Sequence, residues 1–374
     1  MHIKTKSIAL VTWMGTGNYG TSLQAFALNE YLKLQGYSVT FIPYWPQTKG
    51  LLSLFKNAAD CIGLRFVYDK WRHRHDSLRQ RRIFNFNKIS FNQRKLYTRR
   101  QRKQLLNDID VFISGSDQIW NTFYRFDPTM FLDFVKGKRK IAYAPSLGTD
   151  AIRDEYKETV KTFLMDFHKI GVRERTASLT LSKLTQRNDI ENVIDPTFLL
   201  TASQWREFSN NADIDIILPQ QFILCYAIGK NPEYSQQIKN IANVCCIKDI
   251  VIIPSQENPL FKIEGSIVYN DAGPLEFVQL ISKAALVCTD SFHATALCIN
   301  MGKNFVEFLR DYDNATPTQN SRIYDLLTLY NLRDRIYDGK NNKWADCIEY
   351  STIHAILESE RIRCTNFLQM AIDD

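Results

Sequence analysis

The sequence lacks the marks of a membrane-spanning, secreted or disulfide-stapled protein. No hydrophobic stretch approaches the roughly 18 uncharged residues that cross a bilayer, and residues 1–12 lack the apolar core of a signal peptide. The 8 cysteines of this 374-residue chain include no Cys-x-x-Cys pair. Neither a disulfide framework nor a structural zinc site is therefore expected, and reduced thiols in a cytoplasmic protein are predicted.

Charge is distributed unevenly along the chain. Residues 51–105 contain 15 basic and 3 acidic residues, a local net charge of +12, whereas the rest of the chain carries 32 basic and 37 acidic residues. Phe55, Phe66 and Trp71 lie among the basic residues, which predicts one or two basic amphipathic helices inserted between strands. Such helices would contact an anionic membrane surface, or they would be ordinary solvated surface helices.

Strand-like and helix-like runs alternate along most of the chain. Residues 8–13 are an apolar run without helical spacing, residues 21–35 have helical periodicity, and residues 38–43 are again typical of a strand. This βαβ order implies a parallel sheet, and the alternation restarts in the second half. We therefore predict the α/β class with two Rossmann-like domains facing across a cleft, residues 1–200 and 201–374, with the last helix packing back on the first domain.

Two loops in the first half carry unusual polar content after a strand. In the first loop, glycines before a helix would let the backbone approach an anion, although a simple glycine turn explains them equally well. The second loop combines a carboxylate, amides and an indole, which suits a sugar, and Asp117 there is a candidate general base or merely a cap of the next turn. The candidate residues are Gly17, Asn18, Tyr19 and Gly20 in the first loop, and Ser116, Asp117, Gln118, Trp120 and Asn121 in the second.

Two further strand ends carry groups that suit an anion. Arg173 directly follows a predicted strand, so its guanidinium would grip a phosphate or carboxylate in a fork, unless it only pairs with Glu174 on the surface. After residue 290, a helix begins with Ser291, His293 and Thr295 in its first turn. Backbone amides, hydroxyls and an imidazole there predict a phosphate cradle that contains a titratable group.

These loops and their flanking strands together resemble a known enzyme family. The shared stretches span residues 8–310 and are Asn18-Tyr19-Gly20, Gly115-Ser116-Asp117-Gln118-Ile119-Trp120-Asn121, Tyr143-Ala144-Pro145-Ser146-Leu147-Gly148, Val172-Arg173-Glu174, Asp195-Pro196-Thr197 and Thr289-Asp290-Ser291-Phe292-His293. In this order they resemble the polysaccharide pyruvyl transferase family. Two positions depart from the family pattern, because Ala294 stands where glycine is usual and Pro145 where alanine or serine is common.

The resemblance implies a GT-B-like fold with the site in the cleft between the domains. It also implies phosphoenolpyruvate as the donor substrate, a sugar hydroxyl pair as the acceptor and a pyruvate ketal as the product, with no cofactor and no metal. The donor anion would be held by Arg173 and by Ser291-Phe292-His293. We further assign His293 as the candidate acid and Asp117 as the candidate base, with Ser146 and Thr295 among the substrate contacts.

Two alternative functions remain at this point. A nucleotide-sugar glycosyltransferase of the same architecture would bind its diphosphate at the helix after Ser291. A nucleic-acid or membrane-binding module built on residues 51–105 explains none of the strand-end loops, so no nucleic-acid partner is expected. The expected acceptor is a galactose-type residue of a lipid-linked capsular or exopolysaccharide repeat, reached by peripheral contact through residues 51–105 at the inner face of the cytoplasmic membrane.

Overall fold

The computed structural model describes residues 5–15, 17–42, 77–94, 96, 98–310 and 317–374. The aromatic residues on which the predicted amphipathic helices depend, Phe55, Phe66 and Trp71, lie outside the described residues. The prediction of membrane contact through this segment is therefore not addressed by the structure.

Two parallel β-sheets organise the described chain. The first has the order β2-β1-β3-β4-β5-β6, and the second has the order β11-β10-β7-β8-β9. The strands are β1 Ser7–Val11, β2 Ser38–Ile42, β3 Val111–Ser114, β4 Arg139–Tyr143, β5 Lys169–Val172, β6 Ile190–Asn192, β7 Phe222–Tyr226, β8 Asp249–Ile252, β9 Ile267–Val268, β10 Leu286–Thr289 and β11 Phe305–Glu307. The predicted α/β class with parallel sheets is confirmed.

Helices connect the strands and cover the sheets, as parallel pairing requires. The described α-helices are α1 Tyr19–Leu34, α2 Leu78–Ser90, α3 Arg99–Asp108, α4 Lys157–Leu164, α5 Arg175–Thr185, α6 Ala202–Ser209, α7 Tyr234–Cys245, α8 Pro274–Lys283, α9 Phe292–Met301, α10 Asn320–Leu329 and α11 Tyr350–Asp373. Among these described helices, none is both long enough and apolar enough to cross a bilayer.

The strands are buried on both faces, which explains their nearly continuous apolar sequences. In β1, the side chains of Ile8 to Val11 are fully buried. The helix that follows begins where Asn18 accepts a hydrogen bond from the Gly20 amide at 2.9 Å, a side-chain cap of the kind that starts helices. Strand β6 ends at Asn192, so Asp195 lies in the loop beyond it.

The first helix joins the two sheets. The ring of Tyr19 stacks on Phe277 of α8 with a centroid distance of 4.6 Å, and its hydroxyl donates to the Ala272 carbonyl at 2.8 Å. Helix α11 returns to the first sheet, where Phe367 lies 6.5 Å from Tyr143 between ring centroids. The exact domain boundaries, residues 1–200 and 201–374, stay a prediction.

Arginines in the described part of the basic segment form hydrogen bonds with other parts of the same chain. In α2, Arg79 donates to the carbonyls of Pro254 at 2.6 Å and Gly17 at 2.9 Å, while Arg82 donates to the Tyr269 hydroxyl at 2.7 Å. The guanidinium groups of both arginines therefore connect α2 to loops of the second half. Part of the positive charge of residues 51–105 is therefore used in intramolecular hydrogen bonds.

Candidate active site

Polar side chains from both sheets meet at the carboxyl ends of their strands. In the first sheet the strand order reverses between β1 and β3, and in the second sheet it reverses between β7 and β10. Ligands of open α/β sheets bind at such topological switch points. Ser116 follows β3 and His293 follows β10, so the two switch points face each other across one site.

Asp195 is the centre of this site. Its Oδ2 atom accepts a hydrogen bond from Ser116 Oγ at 3.0 Å and lies 3.3 Å from Arg173 Nη1 and 3.5 Å from His293 Nε2. Its Oδ1 atom accepts from the backbone amide of Thr197 at 3.0 Å and from the Thr197 hydroxyl at 2.8 Å. The carboxylate thus contacts residues that follow β3, β5 and β10.

The groups around Asp195 stabilise its ionised form. Burial alone would raise the pKa of this carboxyl, but the positive charges of His293 and Arg173 and the Thr197 amide hold the pKa well below its usual value. The site therefore contains an ionised carboxylate 3.5 Å from Nε2 of His293.

Arg173 is buried between carboxylates and an aromatic ring. Its Nε donates to Glu174 Oε1 at 2.7 Å, and its guanidinium carbon lies 4.0 Å from the centroid of the Phe292 ring. Burial lowers the pKa of Arg173, but Glu174 and Asp195 outweigh it and raise the pKa above the ordinary value. Among the described residues, Nη2 has no hydrogen-bond partner, so one edge of the guanidinium is left for an anion.

His293 is packed against the first turn of α1. A Cβ atom added to Gly20 would lie 2.2 Å from Nδ1 of His293, closer than any real contact allows. The imidazole is buried, and within the described chain its Nε2 makes no hydrogen bond of good geometry. Glycine is required at position 20 because the ring occupies the space of a side chain.

Asp117 lies in the loop after β3 in a conformation that most residues avoid. Its φ angle is +76°, and non-glycine residues in that region concentrate at functional sites because the surroundings must hold them there. Its Oδ2 accepts from the Thr21 hydroxyl at 2.6 Å, and its Oδ1 accepts from the Gln118 amide at 2.8 Å. Each oxygen keeps a lone pair for a further donor.

The sequence of this site matches a known family over most of the chain. The family model for polysaccharide pyruvyl transferase matches residues 18–312. The chain belongs to this family. The matched region contains the strand ends that carry Asp117, Arg173, Asp195 and His293. Membership supports a transferase, and no curated protein matched the chain.

Several solved structures are similar to this family member. UDP-GlcNAc 2-epimerase from Neisseria meningitidis, bound to UDP-GlcNAc, has 12% identity and a TM-score of 0.49 over 98% of this chain and 100% of that one. MnaA of S. aureus with UDP has 11% identity and a TM-score of 0.49 over 96% and 90%. MurG of Acinetobacter baumannii has 11% identity and a TM-score of 0.43 over 98% and 98%.

Four predicted ligand contacts have side chains that are buried or hydrogen-bonded within the protein, and their contact with a ligand stays a prediction. Trp120 is 1% exposed, and its ring stacks on Phe131, so it offers no face to a sugar. The Asn121 side chain is used by backbone amides of its own loop and by Gln118. Tyr19 is buried in the core between the sheets, and the Thr295 hydroxyl donates to Ser291 O and Glu307. The types of these residues suggested polar contacts with a ligand, but their polar groups already have hydrogen-bond partners within the protein.

The other predicted contact residues lie near the site, where they contact other parts of the protein. Gln118 is partly exposed, and the Ser146 hydroxyl accepts from the Gly148 amide at 2.9 Å. A Cβ atom on Gly17 would meet Gln256 at 1.8 Å, so this glycine allows close packing of two loops. Asn18 caps α1, and Ser291 begins α9. Substrate contact by these residues stays a prediction.

Sequence reasoning missed Arg322. This residue of α10 is 5% exposed, and its guanidinium donates only to Gln319, with no carboxylate within ion-pair distance in the described part of the chain. Burial and the nearby guanidinium groups of Arg310 and Arg173 lower the pKa of Arg322 to about 9. Arg322 and Arg173 line the same cavity of about 270 Å³. No sequence signal marks Arg322, because it follows neither a strand nor a glycine-rich loop.

Glu307 is a second buried titratable group near the site. Its Oε2 accepts from the Thr295 hydroxyl, while its Oε1 has no partner among the described residues. Burial raises the pKa of Glu307 well above its ordinary value, which favours the protonated form of this carboxyl in the folded protein. Across the described chain, no group of three or more His, Cys, Asp or Glu side chains is placed to share a metal ion.

Glu307→Gln is expected to stabilise the protein increasingly as the pH rises. Because the folded-state pKa is raised, the unfolded chain releases a proton above about pH 4.5 that the folded protein keeps, which costs up to roughly 1.4 kcal/mol per pH unit. Glutamine mimics the neutral acid and has no such proton. Denaturant unfolding should therefore show a larger difference between variant and wild type at pH 8 than at pH 5. An equal difference at both pH values would mean that Glu307 is ionised in the folded state.

Proposed function

We propose that this protein transfers the pyruvyl group of phosphoenolpyruvate to two hydroxyls of one sugar residue, forming a pyruvate ketal and releasing phosphate. The observation that carries the proposal is the buried cluster of Arg173, Asp195 and His293, which brings a cation, a fixed carboxylate and a proton carrier to one point between the two sheets. Family membership supports the same reaction class.

The reaction needs one acid and one base. The vinyl carbon of the donor gains a proton and becomes the ketal methyl group, while the neighbouring carbon gains cationic character. Two sugar hydroxyls each form a bond to that carbon and lose one proton each. One of these protons balances the proton taken up by the vinyl carbon, and the other leaves with phosphate as its C–O bond breaks.

The residues of the cluster fit these roles. Arg173 binds the donor anion through the unpaired edge of its guanidinium, and a proton on Nε2 of His293, opposite Asp195, is available for transfer. Developing negative charge on the departing phosphate meets the guanidinium in a site that excludes water. Asp117 accepts the proton of the attacking hydroxyl with a free lone pair of its carboxylate.

Asp117→Asn is expected to lower kcat by roughly 10²- to 10⁴-fold, the usual contribution of a general base. Asparagine keeps the shape of the side chain and its acceptor oxygen, so the affinity for phosphoenolpyruvate should change little. Steady-state kinetics together with calorimetric binding of phosphoenolpyruvate separate these two effects. Thr21→Ala removes the 2.6 Å hydrogen bond to the same carboxylate and serves as the matched control with a much smaller loss. Full activity of Asp117→Asn would remove the proposed role.

A direct assay tests the proposed reaction as a whole. The purified protein is incubated with phosphoenolpyruvate and a galactose-terminated oligosaccharide, and separately with UDP-sugars and the same oligosaccharide. Phosphate release with a new ketal methyl signal in the proton NMR spectrum is the expected result. Release of UDP with transfer of a sugar would instead identify a nucleotide-sugar glycosyltransferase and overturn the proposal.

The acceptor and its location extend the proposal. We propose a lipid-linked oligosaccharide of capsule or exopolysaccharide synthesis as the acceptor, reached at the inner face of the cytoplasmic membrane. The positive charge of residues 51–105 supports this placement, although Arg79 and Arg82 of that segment are engaged within the protein.

A further inference from the structure

The cavity lined by Arg173 and Arg322 has the character of an unfilled anion site. Arg322 is buried without a carboxylate partner in the described chain, and a buried charge without a counter-charge is costly. Arg173, which is paired with Glu174 and Asp195, also keeps one nitrogen, Nη2, without a partner among the described residues. Both guanidinium groups line one cavity of about 270 Å³.

The position of Arg322 is fixed by contacts of α10 with the first sheet. Asp325, one turn along the helix, accepts a hydrogen bond from the Thr176 amide at 2.9 Å and so holds α10 against the start of α5. Phe292 and Leu326 add apolar wall to the cavity, which keeps water from screening the two cations. The guanidinium is therefore presented from a rigid helix.

The cavity is lined by three arginines, Arg173, Arg175 and Arg322, and by two carboxylates, Asp195 and Asp325, so its net charge favours a small anionic ligand. Its volume of about 270 Å³ lies just below the roughly 300–1,000 Å³ of pockets for drug-sized molecules. A phosphorylated carboxylic acid has two anionic ends, and the guanidinium groups of Arg173 and Arg322 offer one cation to each end.

We propose that Arg322 is the second anion-binding guanidinium of the donor site, so that phosphoenolpyruvate bridges Arg173 and Arg322 across the cavity. This proposal rests on the proposed function and adds a binding residue to it. Arg322 lies beyond residues 18–312, the segment that the family model matches.

Arg322→Gln is expected to raise both the Kd and the KM for phosphoenolpyruvate by about 10- to 100-fold, the loss typical of a charge-assisted hydrogen bond. The KM for the sugar acceptor should not change. Calorimetry with phosphoenolpyruvate and with inorganic phosphate measures the binding without turnover. Arg322→Lys should recover only part of the affinity, because an ammonium lacks the planar fork.

Two controls separate binding from folding and from general charge. Because Arg322 is a buried cation with no ion-pair partner among the described residues, Arg322→Gln should unfold at the same temperature as the wild type or at a higher one when no ligand is present, and should lose the stabilisation that phosphoenolpyruvate gives. The exposed Arg333, which stacks on Tyr324 and does not line the cavity, provides Arg333→Gln as a variant with the same charge change and unaltered binding.

The outcomes distinguish this proposal from the proposed function. If the wild type forms the ketal and Arg322→Gln binds phosphoenolpyruvate as tightly as the wild type does, the role of Arg322 is wrong while the function stands. A lower unfolding temperature with an unchanged Kd would show a structural role and also overturn it. If the wild type binds a UDP-sugar and not phosphoenolpyruvate, the proposed function itself fails.

Discussion

Replacing Asp195 with asparagine is expected to reduce kcat for pyruvyl transfer by roughly two to three orders of magnitude. A positioned acid–base residue contributes roughly 10²- to 10⁴-fold, and here one carboxylate oxygen faces both Arg173 and His293. Asparagine has a similar volume but no charge, so Arg173 loses one of its two flanking carboxylates and His293 loses the negative charge that lies 3.5 Å from its Nε2.

A matched control for this prediction comes from the same oxygen. Ser116 donates a hydrogen bond to Asp195 Oδ2 at 3.0 Å, and Ser116→Ala removes this contact without altering charge. The expected loss for Ser116→Ala is about tenfold, the lower end of the range for a hydrogen bond to a charged group. Rates at saturating phosphoenolpyruvate and acceptor measure both variants, and circular dichroism confirms the fold. Near-normal kcat of Asp195→Asn would show that the cluster is structural.

Replacing Gly20 with alanine is expected to lower kcat by about 10²-fold, the effect of displacing a catalytic group by about 1 Å. The new Cβ atom would lie 2.2 Å from Nδ1 and 2.6 Å from Cγ of His293, so the imidazole must move away from Gly20. Helix propensity favours alanine over glycine by about 1 kcal/mol, so the defect should come from the displaced ring and not from a weakened helix.

A double-mutant cycle identifies the cause of this defect. His293→Ala alone is expected to abolish ketal formation, with a loss of roughly 10²- to 10⁴-fold for an acid–base residue. If Gly20→Ala acts through the imidazole, the variant with both changes should be no slower than His293→Ala. Additive losses would show that Gly20 affects activity by another route, such as the approach of α1 to the substrate.

Much of the site was predictable because parallel sheets place function at strand ends. Arg173 and His293 follow strands that apolar runs reveal, and in a parallel α/β protein the carboxyl ends of strands gather at one edge. The alternation of residues 8–13, 21–35 and 38–43 predicts β1, α1 and β2 within a few residues, since local periodicity reports which face of an element is buried.

The contact predictions that the structure does not support concern residues whose role depends on what packs around them. Trp120 and Tyr19 have side chains that commonly bind sugars, yet both are buried and their polar atoms donate to the carbonyls of Met130 and Ala272. A sequence shows that an aromatic side chain is present, but not whether its ring faces solvent or core. That distinction arises only when elements distant in the chain come together.

The sequence by itself determined the fold class, the family and the strand ends where Asp117, Arg173 and His293 lie, because these follow from local periodicity and from short motifs in a fixed order. Only the tertiary structure decided which of these groups interact. Asp195 lies at the centre of the site, and Gly20 leaves the space that the ring of His293 occupies. Arg322 lines the same cavity as Arg173 and has no ion-pair partner among the described residues. These relations join residues far apart in the chain, and distances, burial and charge between such residues have no local signature.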